Sequence, residues 1–553
     1  MVFLFLLKQY AMKKNYLLLI LLCFGFNLYS QNTVGTILND ADAYNGYTLL
    51  SPFTSNETYL INNCGEVVHQ WTSTYTPGVS TYLLENGNLL KTGKIPNATF
   101  QFGGVGGKLE LFDWDGNLIW EYTYSTNNYT QHHDIYPLPN GNILILASEL
   151  IPFDEAIQAG RDTDLIDDGV VFNEKIIEIE PVGTNLANIV WEWNIKDHLV
   201  QDFDVTKDNY GVIADNPQLL DFNYVNTDHP VANWLHVNSI QYNETLDQII
   251  LSTRILSEVY IIDHSTTTIE AASHSGGLYG KGGDLLYRWG NPEAYDHGTS
   301  SDQTLFGQHY PHWIADGLTD AGKIMIFNNG GERGYSSVDL INPPQSTPGN
   351  YIYDATNGYA PTIAEWIYTT PVDTDFFSAI ISSAQRLPNG NTLICDGDSG
   401  YFFEIDPNEN IVWEYVNPDS STGPINQGDT PSFNLVFRAL KFPLDFPAFI
   451  GKDLTPTDPI ETNPDLSDCN LLSVSENSML ESSISIYPNP SKSKVFVNSE
   501  KDITKIELYS ISGQKLIENK KSNTINMNDL SIGIYLIKIY STEGSITKRI
   551  IKE

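Results

Sequence analysis

Leu138-Pro139-Asn140-Gly141-Asn142, running into Ile143-Leu144-Ile145-Leu146, is the stretch that decides the fold. Asn-Gly beside an apolar run signals a β-hairpin, and the spacing predicts positive φ at both turn residues. The pattern returns as Leu387-Pro388-Asn389-Gly390-Asn391 before Thr392-Leu393-Ile394, and as Glu85-Asn86-Gly87-Asn88 before Leu89-Leu90. Degenerate copies occupy Tyr242 to Ile250 and Ala315 to Ile326.

A second marker is an apolar strand that carries Trp beside a polar or aromatic residue. It occurs around Trp71, Trp120, Trp191, Trp289, Trp366 and Trp413. Together the markers describe a unit of four strands repeated six times. An all-β, six-bladed β-propeller over residues 31–450 follows, since blades arranged radially bury one another's faces. A β-sandwich array is the rival architecture. One further strand, Asn434 to Leu440, has no hairpin partner downstream and is expected to complete the first blade near Gly46 to Trp71.

Composition agrees: aromatics make up 12% and charged residues only 18%, with 41 Gly and 28 Pro, which favours short strands and tight turns. A net charge of −38 argues against nucleic acid or anionic membrane surfaces as partners. Residues 1–30 read as a secretory signal peptide. Lys13-Lys14 precede the apolar run Tyr16 to Phe26, and Tyr29-Ser30-Gln31 offers a cleavage point. No later segment reads as a membrane span. Cys64, Cys395 and Cys469 allow at most one bridge, and which pair forms stays open.

Residues 451–483 read as linker, rich in Thr, Pro, Asp, Ser and Glu. Residues 484–553 form a small β module, expected as a sandwich, with 11 Lys and Arg against 7 Asp and Glu in an otherwise acidic chain. Tyr487-Pro488-Asn489-Pro490, Ser512-Gly513-Gln514 and the basic end Lys548-Arg549-Ile550-Ile551-Lys552 resemble the C-terminal sorting domain of type IX secretion in the Bacteroidetes. That resemblance implies the type IX machinery as a partner and a secreted or cell-surface location reached through the periplasm.

The histidines point to the chemistry. His133, His236 and His309 each lie seven residues before a turn residue, Asn140, Asn243 and Asp316. In the sixth blade that position is Ser382. Seven extended residues span roughly 23 Å, which carries the three imidazoles to one mouth of the channel. Hairpin geometry returns Arg254 beside His236. Three His and one Arg make a cationic pocket suited to an anionic substrate. Zinc on the three imidazoles is a competing reading, opposed by Arg254. Gly103-Gly104-Val105-Gly106-Gly107 is glycine-rich but follows no strand-to-helix pattern, so no phosphate loop is expected there.

Trp234-Leu235-His236-Val237-Asn238-Ser239-Ile240 leading to Leu251-Ser252-Thr253-Arg254, His132-His133-Asp134-Ile135, and Gly307-Gln308-His309 before His312-Trp313-Ile314 resemble the bacterial arylsulfate sulfotransferases over about Gly46 to Phe449. The resemblance implies a six-bladed propeller. It implies transfer of a sulfuryl group from a phenolic sulfate ester to a phenol, with no nucleotide donor and no cofactor. His309 would become transiently sulfated, His236 and Arg254 would hold the sulfuryl oxygens, and His133 would assist or handle the phenolic proton. His132, Asn238, His312, Asn328, Gln385 and Arg438 are expected to line the channel and contact substrate. A sulfatase-like hydrolase, and a non-catalytic propeller that binds anionic glycans or a surface protein, are the alternatives.

Overall fold

The computed structural model describes residues 32–166, 169–226, 232–466, 469, 484–499, 502–510, 515–520, 522–528, 530–541 and 544–553. The expected signal peptide, Ser473 to Ser483 of the expected linker and Ser512-Gly513-Gln514 lie outside them. The chain divides into two units, one ending at Asp465 and one running from Leu466 to Glu553.

The first unit is all-β. Six antiparallel sheets follow one another along it, among smaller two-stranded ones. The first joins Gly46–Leu50, Glu57–Ile61 and Val67–Thr72. The second holds Pro77–Leu83, Leu89–Lys94, Gly107–Phe112 and Leu118–Thr123. The third holds Tyr129–Pro137, Ile143–Pro152, Val170–Val182 and Leu186–Asn194. The fourth holds Val237–Asn243, Gln248–Thr253, Glu258–Asp263 and Tyr287–Trp289. The fifth holds His309–Trp313, Ile324–Asn328, Ser337–Ile341 and Trp366–Tyr368. The sixth holds Ser383–Arg386, Thr392–Asp396, Tyr401–Ile405 and Ile411–Val416.

The chain ends of this unit cross over. Gly35–Asn39 pairs with Ile411–Val416 as a fifth strand of the sixth sheet. Leu440–Pro443 pairs with Gly46–Leu50 as the fourth strand of the first. The expected extra strand is therefore present but begins at Leu440, with Val436 contributing one bridge to Pro52.

The marker tryptophans sit on the last strand of each sheet and work in two ways. All but the half-buried Trp366 have rings buried in apolar clusters, and a buried indole N–H needs an acceptor. Trp71 donates to Asp113 O, Trp120 to Leu186 O, Trp191 to Thr266 Oγ1, Trp289 to Pro361 O and Trp366 to Glu409 Oε1, at 2.6–3.2 Å. Leu186 belongs to a strand of the sheet that follows, and the other acceptors to connections between strands of the sheet that follows. Trp413 of the sixth sheet donates to Asn63 O, 2.8 Å away in the first. The apolar clusters follow the same order. Leu90, Trp120, Ile145 and Ile177 join the second and third sheets, and Leu50, Ile61, Phe402 and Trp413 join the sixth and first.

The hairpins form where expected, by a different turn. Leu138 O accepts from Gly141 N at 3.0 Å and Leu138 N donates to Asn142 O at 2.8 Å. Gly141 has φ +90°, whereas Asn140 is not left-handed. This is a type I turn closed by a glycine bulge, because Pro139 suits the second position of a type I turn. Gly87 and Gly390 repeat it with φ +88° and +92°.

Two further expectations change. Residues expected as linker from 451 lie along the first unit: Thr457 N donates to Val67 O at 2.8 Å and Thr462 N to Ile425 O at 3.0 Å. Cys64 is disulfide-bonded while Cys395 is a buried free thiol, so these two do not pair.

In the second unit, Ile484–Tyr487, Lys494–Ser499 and Thr524–Asn526 form one sheet, and Ile503–Ser510, Lys515–Lys520, Gly533–Ser541 and Gly544–Lys552 form another. Val495, Val497, Ile506, Leu508 and Ile537 share one buried cluster. Among the described residues no helix is long and apolar enough to cross a membrane.

Candidate functional site

The first strands of the second to fifth sheets each slip register by a bulge, between Pro77 and Thr81, near His133, between Val237 and Ser239, and between His309 and His312. Non-glycine residues adopt left-handed backbone there: Val79 (φ 82°), His133 (48°), His236 (48°) and Tyr310 (50°). Before the first strand of the sixth sheet, Ile381 (51°) and Ser382 (91°) do the same. Left-handed backbone costs about 1–2 kcal/mol for a residue with a Cβ. Such conformations concentrate where a side chain must be aimed.

The bulges bring the imidazoles together. The rings of His133 and His236 lie 4.7 Å apart, centroid to centroid. Phe437 lies 6.5 Å from the His133 ring and 6.4 Å from the His309 ring and so touches both. Arg254 N donates to His236 O at 3.2 Å, the adjacency expected from the hairpin. His133 and His309 are almost fully buried, while His236 and Arg254 are partly accessible. The loop carrying Phe102 covers this cluster. Phe102 stacks over His133 at 6.4 Å and meets His236 at 5.9 Å, and Gly104 O accepts from His133 N at 2.6 Å. A Cβ on Gly104 would sit 2.3 Å from the His133 ring, which explains one glycine of the 103–107 run.

Neighbouring amides fix the ring protons. His309 Nδ1 lies 2.7 Å from Asn329 Oδ1. Asn329 Nδ2 is committed to Ser378 O and Ile381 O, both at 2.9 Å, so its oxygen must face His309. His309 therefore carries its proton on Nδ1 and a lone pair on Nε2. His236 is held the other way. Asn233 Oδ1 accepts from His236 N at 3.2 Å, which turns Asn233 Nδ2 toward His236 Nδ1 at 2.9 Å. His236 Nδ1 accepts, and its Nε2 carries the proton. His133 Nδ1 lies 2.9 Å from His132 Nδ1, and His132 Nε2 donates to Glu174 Oε2 at 2.7 Å. Glu174, His132 and His133 thus form a buried chain of hydrogen bonds.

Charge in the site differs from the expected cationic triad. Burial, then the Arg254 charge, pushes His309 down to about 3. Burial followed by its histidine neighbours and Arg254 holds His133 well below the ordinary imidazole range, and burial followed by Arg254 does the same to His236. The imidazoles are neutral, and the free positive charge belongs to Arg254. Among the described residues Arg254 makes no ion pair.

The expected lining residues divide. His132 stands behind His133. Asn238 Nδ2 donates to Gln308 O at 2.9 Å and so holds the backbone just before His309. Asn328 is spent on structure, bonded to Phe306 N, Thr304 O and Asp339 Oδ2. Gln385 is likewise committed to the backbone of Lys441. Arg438 is ion-paired with Asp134 at 2.7 Å, donates to Tyr82 OH, and stacks 3.9 Å over Tyr310. His312 bonds Tyr310 O at 3.2 Å and lines a cavity of about 200 Å³ with Tyr136, Gln241, Arg386 and the expected Gln385.

Sequence reasoning missed Asn329, Asn233 and Glu174. Glu174 did carry a signal: it is a carboxylate inside the apolar strand Val170–Val182, where an unpaired charge would be costly. The two asparagines carried none, since Asn328 and Asn329 are equivalent until the strand's phase is known.

The family model described as Arylsulfotransferase (ASST) matches residues 35–432, so the chain belongs to that family. A secretion system C-terminal sorting domain matches residues 485–553. The arylsulfate sulfotransferase AssT of Lelliottia amnigena is 23% identical over 382 residues, and that of Escherichia coli O6:H1 is 23% identical over 384. Each match takes in 64% of this chain, and the chain spans 59% of the length of those relatives. Among solved structures, a protein of unknown function from Bacteroides caccae aligns at TM-score 0.39 and 11% identity, covering 72% of this chain and 99% of that one. A putative 6-phosphogluconolactonase from Bacteroides fragilis aligns at TM-score 0.34 and 12% identity, covering 73% and 99%.

Proposed function

We propose that this chain moves a sulfuryl group from a phenolic sulfate ester to a phenol through a sulfo-histidine on His309, without a nucleotide donor. The observation that carries the reading is the pair of opposite tautomers that two asparagines impose. His309 offers a lone pair on Nε2, and His236 offers an N–H on Nε2.

In the first displacement, His309 Nε2 attacks sulfur and the bond from sulfur to the aryl oxygen breaks. The phenolate leaves with that electron pair. Arg254 and the His236 N–H hold the sulfuryl oxygens, whose negative charge fixed donors stabilise. A neutral, buried imidazole is a competent nucleophile, and two displacements replace one three-body step. In the second, the acceptor phenol gives its proton to His133, backed by His132 and Glu174, and its oxygen attacks sulfur as the N–S bond breaks.

We also infer that the six sheets form one closed six-bladed propeller over residues 31–450. The Trp413 bond back to the first sheet and the crossed chain ends support this. Residues 1–30 are read as signal peptide and 484–553 as a small sandwich that directs export to the cell surface or beyond through type IX secretion, consistent with the sorting-domain match.

The test uses the full chain with a chromogenic aryl sulfate, with and without added phenol, beside His309→Ala. Phenol-stimulated release, and a single SO₃ adduct mapped to His309 by mass spectrometry, are expected and vanish in the variant. Release indifferent to phenol assigns water as acceptor. No release and no adduct with a panel of donors overturns the catalytic reading in favour of a binding propeller.

A further inference from the structure

A second histidine cluster lies apart from His309 and its neighbours, and the reaction above does not use it. His198 follows the last strand of the third sheet, after the short turn Ile195–Asp197. His274 and Asp284 sit on the long excursion between Glu258–Asp263 and Tyr287–Trp289 of the fourth sheet. His198 Nδ1 and His274 Nδ1 point at one oxygen, Asp284 Oδ1, from 2.9 and 2.8 Å. The three ligand atoms lie within 4.8 Å of one another.

We propose that His198, His274 and Asp284 bind a divalent transition-metal ion, zinc by preference, that clasps the 264–286 excursion to the third sheet. Two imidazoles and one carboxylate are a donor set that zinc accepts, leaving a further position for water. The surroundings have the form such a site requires. His198 Nε2 donates to Ala271 O at 2.8 Å, the outer bond by which a metal-bound imidazole is normally oriented. Trp193 stacks on His198 at 5.6 Å with planes 9° apart and donates to Gly283 O at 2.7 Å. A Cβ on Gly283 would fall 2.5 Å from His198 Nε2, so glycine permits the close approach. His198 and Asp284 are buried, whereas the His274 side chain is 63% exposed and opens the remaining position to solvent.

Both ring nitrogens of His198 face oxygens, Asp284 Oδ1 and Ala271 O, and His274 Nδ1 turns to the same carboxylate oxygen, so three donor atoms converge on one point. Lys281, close enough to feel the charge of Asp284, is the competing cation.

The experiment strips the purified full chain with chelator and titrates it with ZnCl₂, following stoichiometry by calorimetry and metal analysis. One zinc per chain is expected, weakened at least tenfold in His274→Ala and retained in His309→Ala. His274 is exposed, so its removal leaves the fold intact. The thermal midpoint should rise with zinc in the parent chain and stay unchanged in His274→Ala, and Co²⁺ should give a visible absorption band that the same variant lacks. Zinc binding equal in the parent and His274→Ala, or no binding at all, overturns the proposal. Zinc lost in His309→Ala but kept in His274→Ala overturns it too, placing the ion among the channel imidazoles.

Discussion

Asn329→Ala tests the tautomer argument directly. The substitution removes the only acceptor given to His309 Nδ1 by a side chain, at 2.7 Å in a buried setting. Leaving that N–H unpaired costs about 1–3 kcal/mol. Beyond the backbone contact at Gly307, the ring regains a full partner by turning or by moving its proton to Nε2, and either change removes the nucleophilic lone pair. With about 1.4 kcal/mol per tenfold in rate, sulfo-enzyme formation should slow by roughly 5- to 150-fold. KM should hardly move, because Asn329 does not face the substrate. The lost bonds to Ser378 O and Ile381 O should also lower stability by about 1–3 kcal/mol. Asn328→Ala is the matched control, losing three structural bonds one residue away without touching His309. The assay is single-turnover phenolate release by stopped flow, beside thermal unfolding of both variants. A folded Asn329→Ala enzyme whose burst rate lies within twofold of the parent refutes the reasoning, as does an equal rate loss in the control.

The remaining predictions concern protons and the cover over the site. The donor half-reaction should show no titration near pH 6.5 and should hold its rate until pH approaches His309's value of about 3; an acid limb near 6.5 assigned to His309 would contradict its burial. Glu174→Gln should slow transfer to phenol by about tenfold or more while sparing the donor burst, because it breaks the hydrogen-bond chain behind His133; equal losses in both steps would remove that chain of bonds from the mechanism. Two histidines should act on stability with opposite sign. His309 falls from about 6.5 unfolded to about 3 folded, so its contribution is present above pH 6.5 and lost as pH drops toward 3. His264, bonded to Asp247 and Glu178, rises to about 9, so its contribution is full below pH 6.5 and lost as pH climbs through 9, which denaturation of His264→Gln across that window will check. Gly104→Ala should abolish turnover, since φ +82° and a Cβ 2.3 Å from the His133 ring both oppose it; an active, stable variant would show that the loop is free to lift away.

The strand plan was legible because its carriers are local. Pro-Asn-Gly sets a turn within five residues, and a Trp needs only one acceptor across the next sheet. The turn type is not legible, because Asn-Gly serves both a primed turn and a type I turn with a glycine bulge, and the bulged form occurs with Pro139 and with Glu85 alike. The His register was legible for the same local reason: each His is counted back from its own turn. What could not be read was everything that depends on a second segment far away in sequence. Asn329 acts on His309 across a strand pair, Glu174 reaches His132 from two strands away, and the neutral state of the imidazoles depends on their burial and on the nearby Arg254 charge. Asn328 looked like a lining residue because a polar side chain on a strand has two possible faces, and its partners are Phe306, Thr304 and Asp339.

The bulges explain why the inner strands tolerate conformations that regular strands exclude. A regular strand turns alternate side chains to opposite faces, so His132 and His133 would part. The left-handed residue at His133 lets both rings approach one another, Nδ1 to Nδ1, and passes the Glu174 contact inward. The same device at His236 brings its backbone N–H onto Asn233, and that bond selects the tautomer. In the fifth sheet the left-handed residue is Tyr310 rather than His309, one position later, and the protonation pattern is reversed there. The position of the strain does not by itself set the tautomer, since the chain from Glu174 through His132 leaves the proton of His133 on Nδ1 although His133 is itself left-handed. Moving it one residue, by straightening the backbone at Tyr310, should disturb His309 more than any change in the apolar faces that hold the sheets together.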